Sequence, residues 1–264
     1  MTSASVRLVA TSDVQAEAWS RRAMPPVERV RDDVWAIPVP LDLPIRFTYA
    51  YLIDAADGAV LIDPGASSNA GEAALAAGFA TAGVALDRLR GIVVTHYHFD
   101  HWEAADELAA RIGAWIAIGE HEQGWVNGLQ DELLTPEAAA ARFRAHGAPA
   151  ERATAFAGVE DYRFTRDHVQ PEHLLRDGDL LPVEGERLRV LWTPGHSPGH
   201  VCVYDEAREL LFSGDHVLPG ITPHIALNPF GSDDPLGQYL DSLDKLLPYE
   251  HAEVLPAHEY RFDG

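Results

Sequence analysis

Apolar and polar positions alternate along most of this chain in a pattern that predicts strands and helices in turn. Short apolar runs bounded by glycine, proline or aspartate are typical of buried strands, and longer stretches with a helical period are typical of helices. The pattern predicts strands at residues 34–39, 49–54, 59–63, 89–95, 115–118, 188–192, 201–204, 209–212 and 253–256. It predicts helices at residues 12–19, 69–83, 103–112 and 235–247. Such a list favours an α/β fold with sheets inside and helices outside.

Two segments interrupt or precede this alternation. Residues 1–28 form a predicted N-terminal extension, in which Ser12 caps a short helix that ends before Met24-Pro25-Pro26. Residues 120–176 are rich in alanine and charge, and Thr135-Pro136-Glu137 is typical of a helix start. We therefore predict one domain over residues 29–264, with a helical insertion at about 120–176.

The chain is strongly acidic, with 41 Asp and Glu against 20 Lys and Arg and a formal net charge of −21. A nucleic-acid partner needs a basic surface that neutralises phosphates, so this charge disfavours polynucleotides and favours a small-molecule substrate. The hydrophobic fraction of 47% is sufficient for a large buried core.

No apolar stretch reaches the ~18 residues that a membrane span requires, and the start of the chain lacks the apolar block of a signal peptide. We therefore expect a cytoplasmic protein that does not use a membrane. The single cysteine, Cys202, excludes a disulfide framework and a cysteine zinc site. Its apolar neighbours favour a buried strand position.

The strongest chemical signal is Thr95-His96-Tyr97-His98-Phe99-Asp100-His101, which directly follows an apolar strand. Three imidazoles and a carboxylate in this position are costly to bury unless something coordinates them. Imidazole with carboxylate is the ligand set of zinc, iron or manganese sites. In a loop after a strand alternate residues can converge, so His96 and His98 can share one metal while Asp100 and His101 turn toward a neighbouring one.

Three further ligand-type residues, His196, Asp215 and His258, come at the ends of later predicted strands. Strand-end loops at one edge of a sheet meet in space, so we expect these side chains to join the first cluster. Seven ligands suit two metal ions. We predict two divalent metals, with zinc expected and iron or manganese as the alternatives.

The motif and the order of the later ligands resemble those of the metallo-β-lactamase-fold hydrolases, whose hallmark is HxHxDH followed by a histidine, an aspartate and a histidine. The resemblance covers about residues 30–258 and includes Leu61-Ile62-Asp63-Pro64-Gly65, similar to the family's second-strand motif. It implies a four-layer αββα sandwich with the metals at one edge. It also implies two metal positions bridged by one aspartate: His96, His98 and His196 for the first metal, Asp100, His101 and His258 for the second, and Asp215 between them.

Other polar residues near the motifs have weaker signals. Asp63 resembles a carboxylate that orients a histidine ligand, with a simple turn aspartate as the alternative. His200 is either a similar supporting residue or a surface histidine, and the roles of His216 and His224 are left open. Family members often continue with further helices after the last histidine, so the sequence does not decide whether the natural protein extends past Gly264.

The resemblance implies hydrolysis, in which two metals bridged by Asp215 would acidify a shared water to hydroxide and Asp100 would orient it or take its proton. True β-lactamases of the family generally carry cysteine or serine where this chain has Asp215, so we do not expect antibiotic hydrolysis to be the main activity. Aspartate there is typical of thioester hydrolases resembling glyoxalase II, of lactonases, and of nucleases and phosphodiesterases. The acidic charge favours an acyl substrate among these, with the insertion as a lid.

Three alternatives stay open at this point. A phosphodiesterase or ribonuclease shares the fold, and so does a persulfide dioxygenase, which is an iron oxidoreductase with one metal. A non-enzymatic binding protein with a relict site is the third. The complete ligand set disfavours the last two, and metal analysis separates them from a hydrolase with two metals.

Overall fold

The computed structural model describes residues 8–127, 135–157 and 170–264, which fold around two β-sheets. The larger sheet has seven strands in sequence order in these ranges: β1 Glu28–Arg31, β2 Val34–Pro40, β3 Phe47–Ala55, β4 Gly58–Ile62, β5 Leu89–Val94, β6 Trp115–Gly119 and β7 His173–Leu175. The smaller sheet has five strands in the order β12-β11-β10-β9-β8: β8 Leu188–Trp192, β9 Val201–Asp205, β10 Leu210–Gly214, β11 Glu253–Pro256 and β12 Phe262–Asp263.

The described helices lie mainly on the outer faces of these sheets. They are α1 Asp13–Ser20, α2 Asn69–Ala82, α3 Phe99–Ile112, α4 Gln123–Asn127, α5 Pro136–Ala145, α6 Ala150–Ala157 and α7 Pro235–Leu246. No helix in the described ranges is long and apolar enough to cross a membrane.

Strand β3 shows why the sheets become the inner layers. Its side chains alternate between two apolar clusters, with Tyr51 packing between the sheets and Leu52 packing on the helical side. The ring of Tyr51 meets Phe212 of the smaller sheet edge-on, with centroids 5.3 Å apart. Helices α2 and α3 cover the outer face of the larger sheet through residues such as Phe79 and Leu108.

The second outer face is covered in the same way. Leu246 of α7 packs on Leu191, Tyr204 and Val254 of the smaller sheet. The molecule is therefore a four-layer αββα sandwich, which confirms the predicted fold class. Because each apolar side chain removed from water contributes about 1.5–3 kcal/mol, two such faces per sheet hold the layers together.

Parallel pairing sends several strands to the same edge. Strands β4, β5, β6 and β7 pair parallel with one another, and β10 pairs parallel with β11. The carboxyl ends of β4 and β5 lead to Asp63 and Thr95, and those of β10 and β11 lead to Asp215 and His258. The predicted ligands follow the carboxyl ends of strands β5, β8, β10 and β11.

The N-terminal segment and the inserted segment both contain helices that are capped by side chains. Ser12 caps α1 by accepting the Gln15 N–H, and Thr135 caps α5 by accepting the Ala138 N–H. The N-terminal segment also pairs with the end of the chain, since Ala10 forms a bridge with Phe262. Within the predicted insertion, residues 128–134 and 158–169 lie outside the described residues.

Strands β1 and β12 were not predicted, and β1 crosses the predicted boundary at residue 28; two further differences concern β7 and α3. The last part of the predicted helical insertion contains strand β7, which pairs with β6 at the edge of the larger sheet. Three residues are too few to show a strand period, so the pattern missed it. Helix α3 begins at Phe99 instead of residue 103, because the polar residues Asp100 and His101 in its first turn hide the helical period.

Candidate metal centre

The early start of α3 determines where the motif residues lie. His98 is the residue that precedes the helix, and Asp100 and His101 lie in its first turn, not in a loop as the sequence predicted. Because side chains separate around a helix by about 100° per residue, Asp100 and His101 leave the direction taken by His96 and His98. The helix start therefore divides the motif between two neighbouring positions.

The first group of ligand-type side chains is rich in imidazole and consists of His96, His98, His196 and Asp215. His96 Nε2 lies 2.9 Å from His98 Nδ1 and 3.2 Å from His196 Nε2. His196 Nε2 lies 3.0 Å from His98 Nδ1 and 3.5 Å from Asp215 Oδ2. Four atoms that could coordinate a metal ion thus lie close together.

The second group is richer in carboxylate and consists of Asp100, His101 and His258. Asp100 Oδ2 lies 3.6 Å from His101 Nε2 and 3.5 Å from His258 Nε2. The other oxygen of Asp215, Oδ1, lies 3.5 Å from His101 Nε2 and 3.1 Å from His258 Nε2. Asp215 therefore turns one oxygen toward each group.

Outward-facing ring nitrogens in both groups are held by acceptors. His196 Nδ1 donates to the His224 carbonyl at 2.7 Å, and His258 Nδ1 donates to the Phe47 carbonyl at 2.9 Å. A carbonyl can only accept, so in each of these rings Nδ1 carries the proton and Nε2 presents a lone pair. Oriented imidazoles of this kind are typical of metal ligands.

Asp63 and Thr95 hold the remaining motif histidines. Asp63 Oδ2 accepts from His101 Nδ1 and from the Thr95 hydroxyl, both at 2.8 Å, while its Oδ1 accepts the Thr95 N–H. The Thr95 oxygen, having donated its proton, accepts from His96 Nδ1 at 3.1 Å. Asp63 itself has φ = 52°, a left-handed conformation that aspartate tolerates better than most residues.

This donor set fits divalent metals. The Nε2 lone pairs of His96 and His196 face each other across 3.2 Å, which is repulsive without a cation between or beside them. His101 Nε2 and Asp215 Oδ1 are buried and have no hydrogen-bond partner among the described residues. Buried polar atoms of this kind require an explanation, and metal coordination supplies one.

The electrostatics of the two groups differ. Burial, and then the neighbouring imidazoles, hold the pKa of His96 and His98 well below the usual range. Burial alone would lower the pKa of His101 too, but Asp100, Asp63 and Asp215 raise it to about 10. The imidazoles of the first group therefore resist protonation, whereas the carboxylates of Asp100, Asp63 and Asp215 favour the protonated form of His101.

Residues with open roles in the sequence have definite places in the structure. His200 is buried, accepts the Asp215 N–H at its Nε2 at 3.3 Å and contacts the Thr193 hydroxyl through Nδ1. His216 is also buried, 5.8 Å from the His200 ring between centroids. His224 contributes its backbone carbonyl to His196, while its side chain is exposed.

Sequence reasoning missed the supporting groups that are backbone atoms or distant hydroxyls. The Thr48 hydroxyl donates to Asp100 Oδ2 at 3.2 Å, and the carbonyls of Phe47 and His224 carry no side-chain signal at all. The rings of Phe47 and Tyr49 are fully buried between the sheets, so neither ring lines an open surface.

The inserted segment reaches the metal-binding motif through aromatic contacts. Trp125 of α4 stacks on Tyr97, with centroids 4.2 Å apart and planes 7° apart. Its Nε1 donates to Asn228 Oδ1 at 3.1 Å, and its ring meets Phe230 edge-on. The loop that carries His224 is thereby joined to the motif that carries His96 and His98.

The sequence of this chain matches a known family over most of its length. Residues 43–258 match the model of the metallo-beta-lactamase superfamily. The chain belongs to this superfamily. The matched range contains all seven predicted ligands, from His96 to His258.

Solved structures of two similar proteins superpose on this chain. A crystal structure of the metallo-beta-lactamase family protein TTHA1429 from Thermus thermophilus superposes with a TM-score of 0.75 and 28% identity, covering 89% of this chain and 76% of that chain. The protein TTHA1623, in a di-iron-bound form, superposes with a TM-score of 0.57 and 29% identity over 85% of this chain and 92% of that chain.

Among curated proteins, this chain is similar to the acyl-coenzyme A thioesterase MBLAC2 of Bos taurus. The two are 33% identical over 129 residues, which covers 48% of this chain and 41% of the bovine protein. The match thus spans less than half of that relative's length.

Proposed function

We propose that this chain is a metal-dependent hydrolase that holds two divalent metals and acts on an acyl substrate, a thioester, ester or lactone. His96, His98 and His196 would hold the first metal, Asp100, His101 and His258 the second, and Asp215 both. Zinc is the expected metal. Iron is the first alternative, because the similar protein TTHA1623 has a di-iron form.

One observation carries this proposal above the others. The two oxygens of Asp215 face two adjoining groups, with Oδ2 3.5 Å from His196 Nε2 and Oδ1 3.1 Å from His258 Nε2. A carboxylate between two clusters of imidazole nitrogens is the arrangement that two neighbouring cations need. A site for one metal would leave one of these clusters uncompensated.

Two bound divalent metals would supply Lewis acidity, which lowers the pKa of a water and polarises a substrate carbonyl. The chain's own residues have separable tasks. Thr48 donates to Asp100, which holds that carboxylate beside His258, where it can accept a proton from an attacking water. The hydrogen bonds that hold His196 and His258 keep their ligand atoms in place, so the reacting groups need little reorganisation.

Two further observations support an acyl substrate. The similar bovine protein is named as an acyl-coenzyme A thioesterase. In addition, three large apolar side chains are exposed on segments that carry or support ligands: Phe99 by 45%, Ile221 by 39% and Leu227 by 42%. Such side chains offer a surface on which an acyl group can leave water.

The test is metal analysis of protein purified without chelator, coupled to a substrate screen. We expect close to two metals per chain and turnover of at least one acyl thioester, ester or lactone after loading with zinc. The screen includes phosphodiesters and, under air, a glutathione persulfide.

The other outcomes separate the alternatives. One iron per chain, together with oxygen-dependent oxidation of the persulfide, would show that the protein is a dioxygenase and not a hydrolase. Cleavage of phosphodiesters alone would replace the acyl substrate by a polynucleotide or a related ester. A chain that binds no metal would overturn the whole proposal.

A further inference from the structure

A buried carboxylate outside the ligand set contacts the loop that carries His196. Glu122 ends the short 3₁₀ turn Glu120–Glu122 between β6 and α4, and its side chain is completely buried. Its Oε1 accepts hydrogen bonds from the Ser197 hydroxyl and from the Gly199 N–H, the latter at 3.2 Å. Ser197 directly follows the ligand His196 in the chain.

Two glycines let these segments meet backbone to backbone. A Cβ atom on Gly199 would overlap the backbone nitrogen of Glu122, and a Cβ atom on Gly119 would overlap the Gly199 carbonyl oxygen. Neither overlap can be relieved by rotating a side chain, because the atoms that it meets belong to the backbone. The close approach therefore fixes the distance between the start of the insertion and the His196 loop.

The His196 loop needs such support from outside. Its sequence Thr193-Pro194-Gly195-His196-Ser197-Pro198-Gly199-His200 lies between strands β8 and β9, and Gly195 has φ = 136°. A loop that contains two glycines loses much conformational freedom when it is ordered. Glu122 accepts two hydrogen bonds from this loop, which offset part of this cost.

The same segment also contacts the other loops of the first ligand group. Three residues after Glu122, Trp125 stacks on Tyr97, which lies between His96 and His98 in the chain. Trp125 further donates to Asn228, in the loop whose His224 carbonyl accepts from His196. The second ligand group is supported elsewhere, by Asp63, Thr48 and the Phe47 carbonyl.

We propose that Glu122 is a positioning residue for the ligand group His96, His98, His196 and Asp215, acting through its hydrogen bonds to the His196 loop. The inference rests on the proposed metal site, but not on the identity of the substrate. Glu122 would thus affect the metal affinity of the first ligand group and not of the second, although its side chain belongs to neither group. The start of the insertion thereby becomes part of the metal centre.

The test compares three variants of the full chain by competition with a chelator, first with zinc and then with cobalt(II). Glu122→Leu keeps the volume but removes the acceptor, and Glu122→Gln keeps the acceptor. Glu120→Gln is the matched control, because Glu120 lies in the same turn and pairs with Arg176 at the surface. The visible spectrum of cobalt distinguishes an imidazole-rich from a carboxylate-rich position.

We expect Glu122→Leu to weaken the imidazole-rich position by about 10–100-fold, the usual cost of losing a group that orients ligands, and to leave the other position within about threefold. Glu122→Gln should recover most of this affinity, and Glu120→Gln should match the wild type. Equal weakening of both positions in Glu122→Leu, or unchanged binding, would overturn the proposal.

If Glu122→Leu does not fold, Ser197→Ala provides the second variant, since it removes one of the two donors to Glu122. It should weaken the same position by a smaller factor, and unchanged affinity in that variant would contradict the inference. Wild-type protein that binds only one metal, or none, would overturn the proposed metal site itself. That result is distinguishable from a failure at Glu122 alone.

Discussion

At the scale of single residues, the candidate metal centre depends on acceptors that hold the outer nitrogens of its histidines. Asp63 is the most connected of these, because one carboxylate accepts from His101, from the Thr95 hydroxyl and from the Thr95 N–H. Loss of its charge would leave His101 free to rotate or to change tautomer.

Replacing Asp63 with Asn tests this role with little change in shape. We expect weaker binding by about 10–100-fold at the carboxylate-rich position, because an amide cannot accept at both of its ends. Asparagine also tolerates the left-handed backbone at this position, so the fold should be retained. Chelator competition measures the change, and Asp57→Asn in the exposed β3–β4 turn is the control. Equal affinities in the two variants would remove Asp63 from the proposed site.

Replacing Asp215 with Ala removes the carboxylate that faces both groups. We expect turnover to fall by more than ~100-fold. Loss of a residue that only orients a ligand usually costs up to that factor. The metal content should fall below two per chain, whereas the thermal transition should change little, because Asp215 lies at the sheet edge and not in the apolar clusters. Steady-state hydrolysis and circular dichroism measure both effects. Undiminished hydrolysis by a folded, metal-loaded variant would contradict the mechanism.

The ligand-type residues could be predicted because their side chains and spacing are visible in the sequence. Asp63 was also recognisable from its motif. The carbonyls of Phe47 and His224 were not, since every residue has a carbonyl and only the fold selects these two. Thr48 and Glu122 were missed for a similar reason, because their partners lie 52 and 75 residues away in the chain.

At the scale of elements, most strands of four or more residues followed the hydrophobic pattern, whereas strands β1, β7 and β12 were not predicted. Strand β4, helix α2 and helix α7 begin and end within about two residues of their predicted bounds. Strand β7 was missed because three residues have no measurable period, and β12 because two residues have none. Edge strands of this kind are defined by their hydrogen-bonded neighbour instead of their own sequence.

The element that begins the insertion carries a prediction about pH. Burial raises the pKa of Glu122 to about 8, although hydrogen bonds from Ser197 and Gly199 act against the shift. The unfolded carboxyl has its ordinary value of 4.5, so between these two pH values unfolding releases a proton and stability falls as pH rises. The contribution of Glu122 to stability is fully present below the pKa of the unfolded carboxyl, and it is lost as pH rises through the pKa of the folded one.

Glu122→Gln removes this titration, since an amide stays neutral. Its stability relative to the wild type should therefore increase from about pH 5 to about pH 8, by at most ~1.4 kcal/mol per pH unit, and level off above that range. Chemical denaturation of zinc-saturated protein across this range measures the difference, and Glu120→Gln is again the control. Parallel stability curves for the wild type and Glu122→Gln would show that Glu122 is already ionised in the folded chain.

At the scale of the whole molecule, the candidate site combines side chains that follow strands of both sheets. The larger sheet contributes His96, His98, Asp100 and His101, and the smaller sheet contributes His196, Asp215 and His258. Neither sheet holds a complete ligand group, because His196 and Asp215 complete the first and His258 completes the second. The order of these residues along the chain was sufficient to predict the family. Their arrangement in space depends on both sheets, because each group takes side chains from both.

The charge of the whole molecule bears on the substrate. With a net charge of −21, the chain repels polyanions, and a nuclease would need local clusters of arginine to overcome this. The densest candidates in the sequence are in the insertion, where Arg142, Arg144 and Arg152 lie on α5 and α6. Arg163 and Arg166 lie outside the described residues.

Salt and the length of the acyl chain should affect KM differently for the two substrate classes. If Phe99, Ile221 and Leu227 receive an acyl chain, each buried methylene contributes up to ~0.8 kcal/mol, so KM should fall by as much as about fourfold per carbon. Because this binding releases few counterions, added salt should leave KM for an uncharged ester nearly constant. A polynucleotide would instead lose affinity steeply with salt, roughly in proportion to the phosphates contacted.

The measurement is steady-state hydrolysis of a series of esters and thioesters with two to twelve carbons, at low and high ionic strength. Phe99→Ala should flatten the dependence on chain length, whereas Leu174→Ala, at an exposed position on β7, should not. A flat series in the wild type would show that the exposed apolar side chains do not bind substrate. Salt-sensitive binding of RNA, with no turnover of any ester, thioester or lactone, would reverse the choice of substrate. Such binding would require a local basic groove on the otherwise acidic surface.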